Sequence, residues 1–232
     1  MSGGGVTLRG ISSMAMRKAL ADLARAFEVG HGHPVVIESV GGVVAARRVA
    51  SGEAFDFAIL ASEAVDALAS AGDLDATTCM PLAHSSIAVA VASGTPVPDL
   101  SSGPKLREAL LGARRIGYST GPSGDQLVAL FERWRIDDSR APCLVQAPPG
   151  IPVATLVRDR HVDLGVQQLS ELIDVQGVNV AGVVPPDVAA PTVFAGGVCR
   201  SASNATAARE FLRFVASAAG DDARRRNGLG NP

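Results

Sequence analysis

Val6-Thr7-Leu8-Arg9-Gly10-Ile11-Ser12-Ser13-Met14 is the stretch from which the rest of the chain can be read. An apolar run meets two hydroxyls, and a helical periodicity follows. Val6 to Ile11 reads as a strand. Ser13 to Val29 reads as a helix with Met16, Leu20, Leu23, Ala24 and Phe27 on one face, stopped by the turn Gly30-His31-Gly32-His33-Pro34. The same sequence of events recurs twice. Val35 to Ile37 reads as a strand and Val43 to Ser51 as a helix ended by Gly52; Phe55 to Leu60 reads as a strand and Glu63 to Ala71 as a helix ended by Gly72. Strands alternating with helices in this way imply a parallel sheet with helices on both faces.

A second series follows the apolar run Ile87 to Ala92. It reads as helix 105–111, strand 115–119, helix 125–133, strand 143–146, helix 153–159 and strand 164–167. Thr192 to Val198 is a further buried strand, and two helices, 204–216 and 221–227, close the chain. The expected architecture is α/β with two lobes, each a mostly parallel sheet flanked by helices. Residues 1–84 with 196–232 form the first lobe and 85–195 the second. The strands near Ser86–Val91 and Val193–Val198 are where the chain crosses between them.

Three turns rich in Ser, Thr and Gly lie at strand ends that open helices: Gly10 to Met14, Glu38 to Gly42, and Tyr118-Ser119-Thr120-Gly121-Pro122-Ser123-Gly124. A helix N-terminus carries unpaired N–H donors and the positive end of a dipole, so it attracts anions. Ligands of open α/β sheets sit beyond the carboxyl ends of the strands. Ser12, Ser13, Ser39, Gly41 and Gly42 are therefore candidate ligand contacts in the first lobe, as are Tyr118, Ser119, Thr120, Ser123 and Gly124 in the second. The competing readings are a plain helix cap for the serines and a tight turn for the glycines. The third turn lacks the Gly-Lys-Ser/Thr ending of a phosphate-binding loop.

Composition narrows the ligand. The 232 residues are 47% hydrophobic and 19% charged, as in a chain with a sizeable core. The formal charge of −2 provides no general attraction to nucleic acid or anionic membranes, and 4% aromatic residues is thin for base stacking. Any anion must be held by local dipoles and a few arginines. Arg17, one turn into the first helix, is a candidate bidentate clamp, with an exposed surface role as the alternative. Cys79, Cys143 and Cys199 form no metal pair or disulfide framework. His31 and His33 sit in a helix-stop turn without a third ligand. No metal and no cofactor is expected. Arg224-Arg225-Arg226 reads as a solvated terminal helix.

The stretches Ile11-Ser12-Ser13, Ser51-Gly52-Glu53-Ala54-Phe55-Asp56-Phe57-Ala58-Ile59-Leu60-Ala61-Ser62 and Gly165-Val166-Gln167-Gln168-Leu169-Ser170-Glu171-Leu172 resemble the molybdate-binding class of type II periplasmic binding proteins over nearly the whole chain. The resemblance implies a two-lobed clamp with a ligand cleft between the lobes, serving an ABC permease. Two positions depart from it. Molybdate binders place hydroxyls in a Gly-Ser-Ser-Gly turn after the second strand, where this chain has Val40-Gly41-Gly42-Val43. They also use a Tyr late in the second lobe, where this chain has Gln167-Gln168. An amide offers both donors and an acceptor, which points from a bare oxyanion such as molybdate or tungstate toward a di- or tricarboxylate.

A smaller group of similar proteins isomerises aconitate, and Ile11-Ser12-Ser13 with the 118–124 turn resembles that branch. Isomerisation needs a base with a raised pKa. Glu38, Asp125 and His84 are the candidates, against a salt bridge for Glu38, a dipole-favoured first-turn position for Asp125 and a strand end for His84. The expected partners are a small anion and an ABC permease, without nucleic acid or membrane insertion, and the expected state is a monomer. The compartment is periplasmic if a signal peptide has been removed and cytoplasmic if Met1 is the native start.

Overall fold

Alternating burial on a central strand determines where every neighbouring helix packs. In β3, Phe57–Ala61, the side chains of Phe57 and Ile59 enter one apolar cluster and those of Ala58 and Leu60 another. The computed structural model describes residues 5–136, 141–148 and 150–232. The chain divides into two units, residues 1–84 with 193–232 and residues 85–192.

In the first unit, β1 (Leu8–Ser13), β2 (Val35–Val40), β3, β4 (Met80–Ser85) and β10 (Thr192–Val198) form a sheet of order β2-β1-β3-β10-β4. β1 runs parallel to both β2 and β3, and β10 runs antiparallel to β3. The sheet is therefore mixed, because the returning strand enters beside β3 from the opposite direction. α1 (Arg17–His31), α8 (Ala205–Ala216) and α9 (Asp221–Arg226) supply the first cluster, around Leu20, Leu23, Phe27, Phe211 and Leu212. α2 (Gly42–Ala50) and α3 (Ser62–Ala71) supply the second, around Ala45, Val49, Val65 and Leu68.

The α1 face expected from periodicity is the buried face. The helix itself begins at Arg17, because a 3-10 turn, Met14–Met16, intervenes after the strand. Left-handed Gly32 and Gly72 cap α1 and α3. β1 is paired with β3 at Gly10, where the Phe57 ring covers the glycine and a Cβ would stand 2.1 Å from it.

In the second unit, β5 (Ile87–Ala92), β6 (Arg115–Tyr118), β7 (Cys143–Gln146), β8 (Leu164–Gln168) and β9 (Val178–Val183) take the order β7-β6-β8-β5-β9. β6 is parallel to β7 and β8, whereas β5 is antiparallel to β8 and β9. α4 (Gly103–Gly112) and α5 (Pro122–Trp134) cover one face through Leu106, Leu110, Leu127 and Leu130. α6 (Val153–Arg158) and α7 (Leu169–Leu172) lie against the other through Val153, Val157 and Leu172. β4, β9 and α7 have no counterpart in the sequence reading. β4 contains Pro81 and His84, β9 is a half-exposed edge strand, and α7 is a single turn. Among the described residues no helix is long and apolar enough to cross a membrane.

Candidate functional site

In the first unit the parallel strands deliver their carboxyl ends to one edge. Ser12 and Ser13 are the last two residues of β1, not the first turn of α1, and Ser13 precedes the 3-10 turn without capping it through its side chain. Ser39 is opposite Ser12 in register, and the two Oγ atoms are 2.8 Å apart. Ser12 Oγ also donates to the Ser13 carbonyl at 3.3 Å. Ser13 faces the other side of the sheet, toward α2: a Cβ on Gly42 would be 4.0 Å from the Ser13 Cβ. Ser13 Oγ is buried and has no hydrogen-bond partner among the described residues.

Gly41 is the N-cap of α2 and offers no side-chain oxygen. The first intrahelical bond joins the Ala45 N–H to the Gly41 carbonyl at 2.9 Å, so the N–H groups of Gly42, Val43 and Val44 lack intrahelical partners. The edge thus combines a hydroxyl pair, a buried unpaired hydroxyl and an uncapped helix N-terminus. Val43 and Val44 are exposed beside them. Arg17 is exposed on the first turn of α1 and makes no ion pair among the described residues.

Glu38 lies near these donors and is engaged elsewhere. Arg48 on α2 donates to both of its carboxyl oxygens, at 2.5 and 2.9 Å, and also to both oxygens of Glu53 at 2.7 and 2.5 Å. The guanidinium stands over the Phe55 ring at 5.3 Å. Hydrogen bonding from Arg48 holds the Glu38 carboxyl below its ordinary range. That is the reverse of the raised pKa an allylic base needs, and the salt-bridge alternative holds. His84 is in β4, where its backbone bridges Gly230 and Nδ1 is 2.7 Å from the Asn231 carbonyl oxygen, so its ring belongs to the contact with the C-terminal segment.

In the second unit, β6 ends at Tyr118 and the 118–124 turn starts α5. Ser119 Oγ lies 3.3 Å from Ser123 Oγ and accepts from the Gly121 N–H at 3.4 Å. Gly124 is required here, because a Cβ would be 1.9 Å from the Ser119 carbonyl oxygen. Thr120 is exposed, Tyr118 is half-buried and Asp125 is exposed in the first turn of α5.

Gln167 and Gln168 end β8 and are buried. Gln167 Nε2 donates to Glu171 Oε1 at 2.7 Å, and Gln168 Nε2 donates to Thr192 Oγ1 at 2.7 Å. The Oε1 atoms of both are buried without a partner among the described residues. Glu171 and Thr192 escaped the sequence reading. Glu171 was detectable as the i+4 neighbour of Gln167 across a strand-to-helix turn, whereas Thr192 is 24 residues from Gln168 and only the fold unites them. His31 stacks on Phe27 at 4.2 Å, and His33 Nδ1 accepts from the Val6 N–H at 3.1 Å. Among the described residues no cluster of His, Cys, Asp and Glu could hold a metal.

Two mixed sheets, each flanked by helices, define a type II periplasmic-binding-protein fold. The structure resembles the periplasmic molybdate-binding protein of Azotobacter vinelandii with a TM-score of 0.80 and 18% identity, over 97% of this chain and 99% of that one. It also resembles L-phospholactate-bound PEB3, a protein known from Campylobacter jejuni, with a TM-score of 0.72 and 12% identity over 97% and 100% of the two chains. In sequence, an aconitate isomerase from a Pseudomonas species is 31% identical over 217 residues, 91% of this chain and 82% of that relative. Residues 8–230 match the bacterial extracellular solute-binding proteins, and the chain belongs to that family.

Proposed function

We propose that this solute-binding protein of the ABC-transporter type takes a small organic anion, a di- or tricarboxylate, as its ligand. The observation that carries the reading is the edge of the first unit. Ser12, Ser13 and Ser39 present hydroxyls beside the free N–H groups of α2, and Ser13 Oγ is buried without a partner. Buried polar groups ordinarily find partners, and a carboxylate accepts from hydroxyl and helix N-terminal N–H donors of this kind. The exposed Val43 and Val44 at the same helix start suit a ligand with a carbon skeleton. Ser119, Thr120 and Ser123 form a second donor set for carboxylate oxygens.

The test is a thermal-shift and calorimetric screen of the protein with citrate, trans-aconitate, succinate, sulfate, molybdate and tungstate. A ligand at about 100 times its Kd stabilises the folded state by about 2.7 kcal/mol. Stabilisation by the organic acids is expected, and stabilisation by tetrahedral oxyanions alone refutes the carboxylate reading.

The 31% identical aconitate isomerase favours a second reading, catalysis on the same class of acid. Incubation with trans-aconitate followed by NMR distinguishes the two, since a binder returns its ligand unchanged. Glu38, in the grip of Arg48, is poorly suited to be the base such a reaction needs.

A further inference from the structure

The chain passes between its two units at the links 84–85 and 192–193. Any bending of one unit against the other is absorbed there, because a hinge is a few residues that take up the change in backbone angles. Both links meet one corner of the second unit, where β8 turns into α7. At the first, the Ser86 carbonyl accepts from the Leu169 N–H at 2.8 Å, and Ser85 Oγ donates to Ser170 Oγ at 3.4 Å. At the second, Thr192 Oγ1 accepts from Gln168 Nε2 at 2.7 Å. Gln168, Leu169 and Ser170 are consecutive, whereas Ser85 and Thr192 lie at opposite ends of the unit's sequence.

Gln168 joins the two links by itself. Its backbone lies opposite Ile87, the first residue of β5, in the antiparallel register of β5 and β8, while its side chain reaches Thr192. Ser85, Gln168, Ser170 and Thr192 are all buried, and Leu172 of α7 shares a buried apolar cluster with Ala88 and Ala90 of β5. Burying hydroxyls and amides costs free energy unless they are paired, and a paired network rigidifies and specifies one arrangement. On the first-unit side His84 is held too. Its N–H donates to the Gly230 carbonyl at 3.1 Å, and its carbonyl accepts from the Gly230 N–H at 2.8 Å. The slack at the first crossing is thus a single link between two anchored residues.

We infer that the β8–α7 corner is the fixed side of a hinge, with Gln168 as the positioning residue that ties both crossings to the second unit and confines bending to the links 84–85 and 192–193. Without the Gln168 amide, the second crossing lengthens into the segment before β10, and the two units sample a wider range of separations. The device holds whatever solute the protein binds.

The test uses the full chain without ligand. Amide hydrogen exchange reads the anchors. Spin labels on the exposed Cys143 and on Val29→Cys, at another exposed position, read the separation of the units in a Cys79→Ser background. In the wild type the Leu169 amide should exchange as slowly as those inside β8, and fast exchange there overturns the inference without any variant. Gln168→Leu and Thr192→Val keep similar bulk. Each should speed exchange at residues 192–194 by about tenfold, the scale of one lost hydrogen bond, and should broaden the distribution of label-to-label distances. The double variant should do no more than either alone, because both changes break the same bond. A distribution as narrow as the wild type's in a folded variant shows that Gln168 only supports the second unit, and it overturns the inference, as does unchanged exchange at 192–194. Failure of both variants to fold overturns it too, since Gln168 then holds the unit together rather than its crossings.

Discussion

Ser12 Oγ and Ser39 Oγ meet at 2.8 Å across two parallel strands, at positions the register sets directly opposite each other. Ser12 Oγ donates to the Ser13 carbonyl, so Ser39 Oγ supplies the proton of the shared bond, and a ligand carboxylate competes with these two acceptors for the hydroxyl protons. Removing either partner changes both the donor count and the orientation of the survivor. Ser12→Ala and Ser39→Ala are each expected to weaken citrate binding by about tenfold, the equivalent of about 1.4 kcal/mol. The double variant should fall short of the sum because the residues touch. Calorimetric titration of the four proteins checks this, with melting temperatures confirming that folding is retained. Additive losses would mean that the two hydroxyls act separately.

Arg48 joins Glu38 on β2 to Glu53 at the start of the segment leading into β3. Its hydrogen bonds hold both carboxyls below their ordinary value of 4.5. Groups with a depressed folded pKa stabilise the native state above the unfolded value, and that contribution disappears as pH falls through the folded value. The wild type should therefore melt above Arg48→Gln at pH 7, and the gap should close as the pH drops below about 4.5. The effect is small because the carboxylates are substantially exposed. Melting curves of both proteins between pH 7 and 3 measure it. A gap that widens in acid would contradict the assignment.

β1 to β3 and α1 to α3 were readable because each of these strands ends near a helix start and each of these helices is followed by a glycine: Gly32, Gly52 and Gly72 all take positive φ. The amphipathic α1 declared its buried face through Leu20, Leu23 and Phe27. Other features carried little local signal. β9 alternates only weakly because it is an edge strand, and β4 contains a proline. Within the candidate site, residue types were legible and pairings were not. The sequence shows Ser12 and Ser39, 27 residues apart, but only the parallel register makes them partners. Likewise the sequence offered Glu38 as a base or as a salt-bridge partner, and only the fold brings Arg48, ten residues on, to it.

Asp56 illustrates a buried charge with a structural role. Its Oδ2 accepts the Arg9 N–H at 2.9 Å, and its Oδ1 accepts those of Ser203 and Asn204 at 3.0 Å each. Asn204 is the N-cap of α8 and has no side-chain cap of its own, so Asp56 caps that helix from across the chain. The contact ties β1 to α8, whose Phe211 and Leu212 lie in the core. Asp56→Ala is expected to cost about 3 kcal/mol, because several backbone donors lose their acceptor at once. Urea denaturation with an unchanged m-value would register it as a loss of stability. A loss below about 0.5 kcal/mol, the scale of an ordinary surface change, would remove the capping assignment.

The cysteines should report unfolding in a fixed order. Cys143 is exposed, Cys79 is half-buried, and Cys199 is buried against Leu74 and Leu68 in the cluster under α3. Burial raises the Cys79 thiol, and it pushes Cys199 up to about 12. At pH 8 a thiol of that pKa is ionised to only about one part in ten thousand, and the thiolate is the reactive form. A disulfide reagent at pH 8 should therefore modify Cys143 first and Cys79 more slowly, with Cys199 modified only when the first unit opens. Mass spectrometry of the labelled protein over time follows each site, and Cys143→Ser should abolish the fast phase alone. If Cys199 reacts as fast as Cys143 in the native protein, the α3 side of the first sheet opens far more readily than its packing implies.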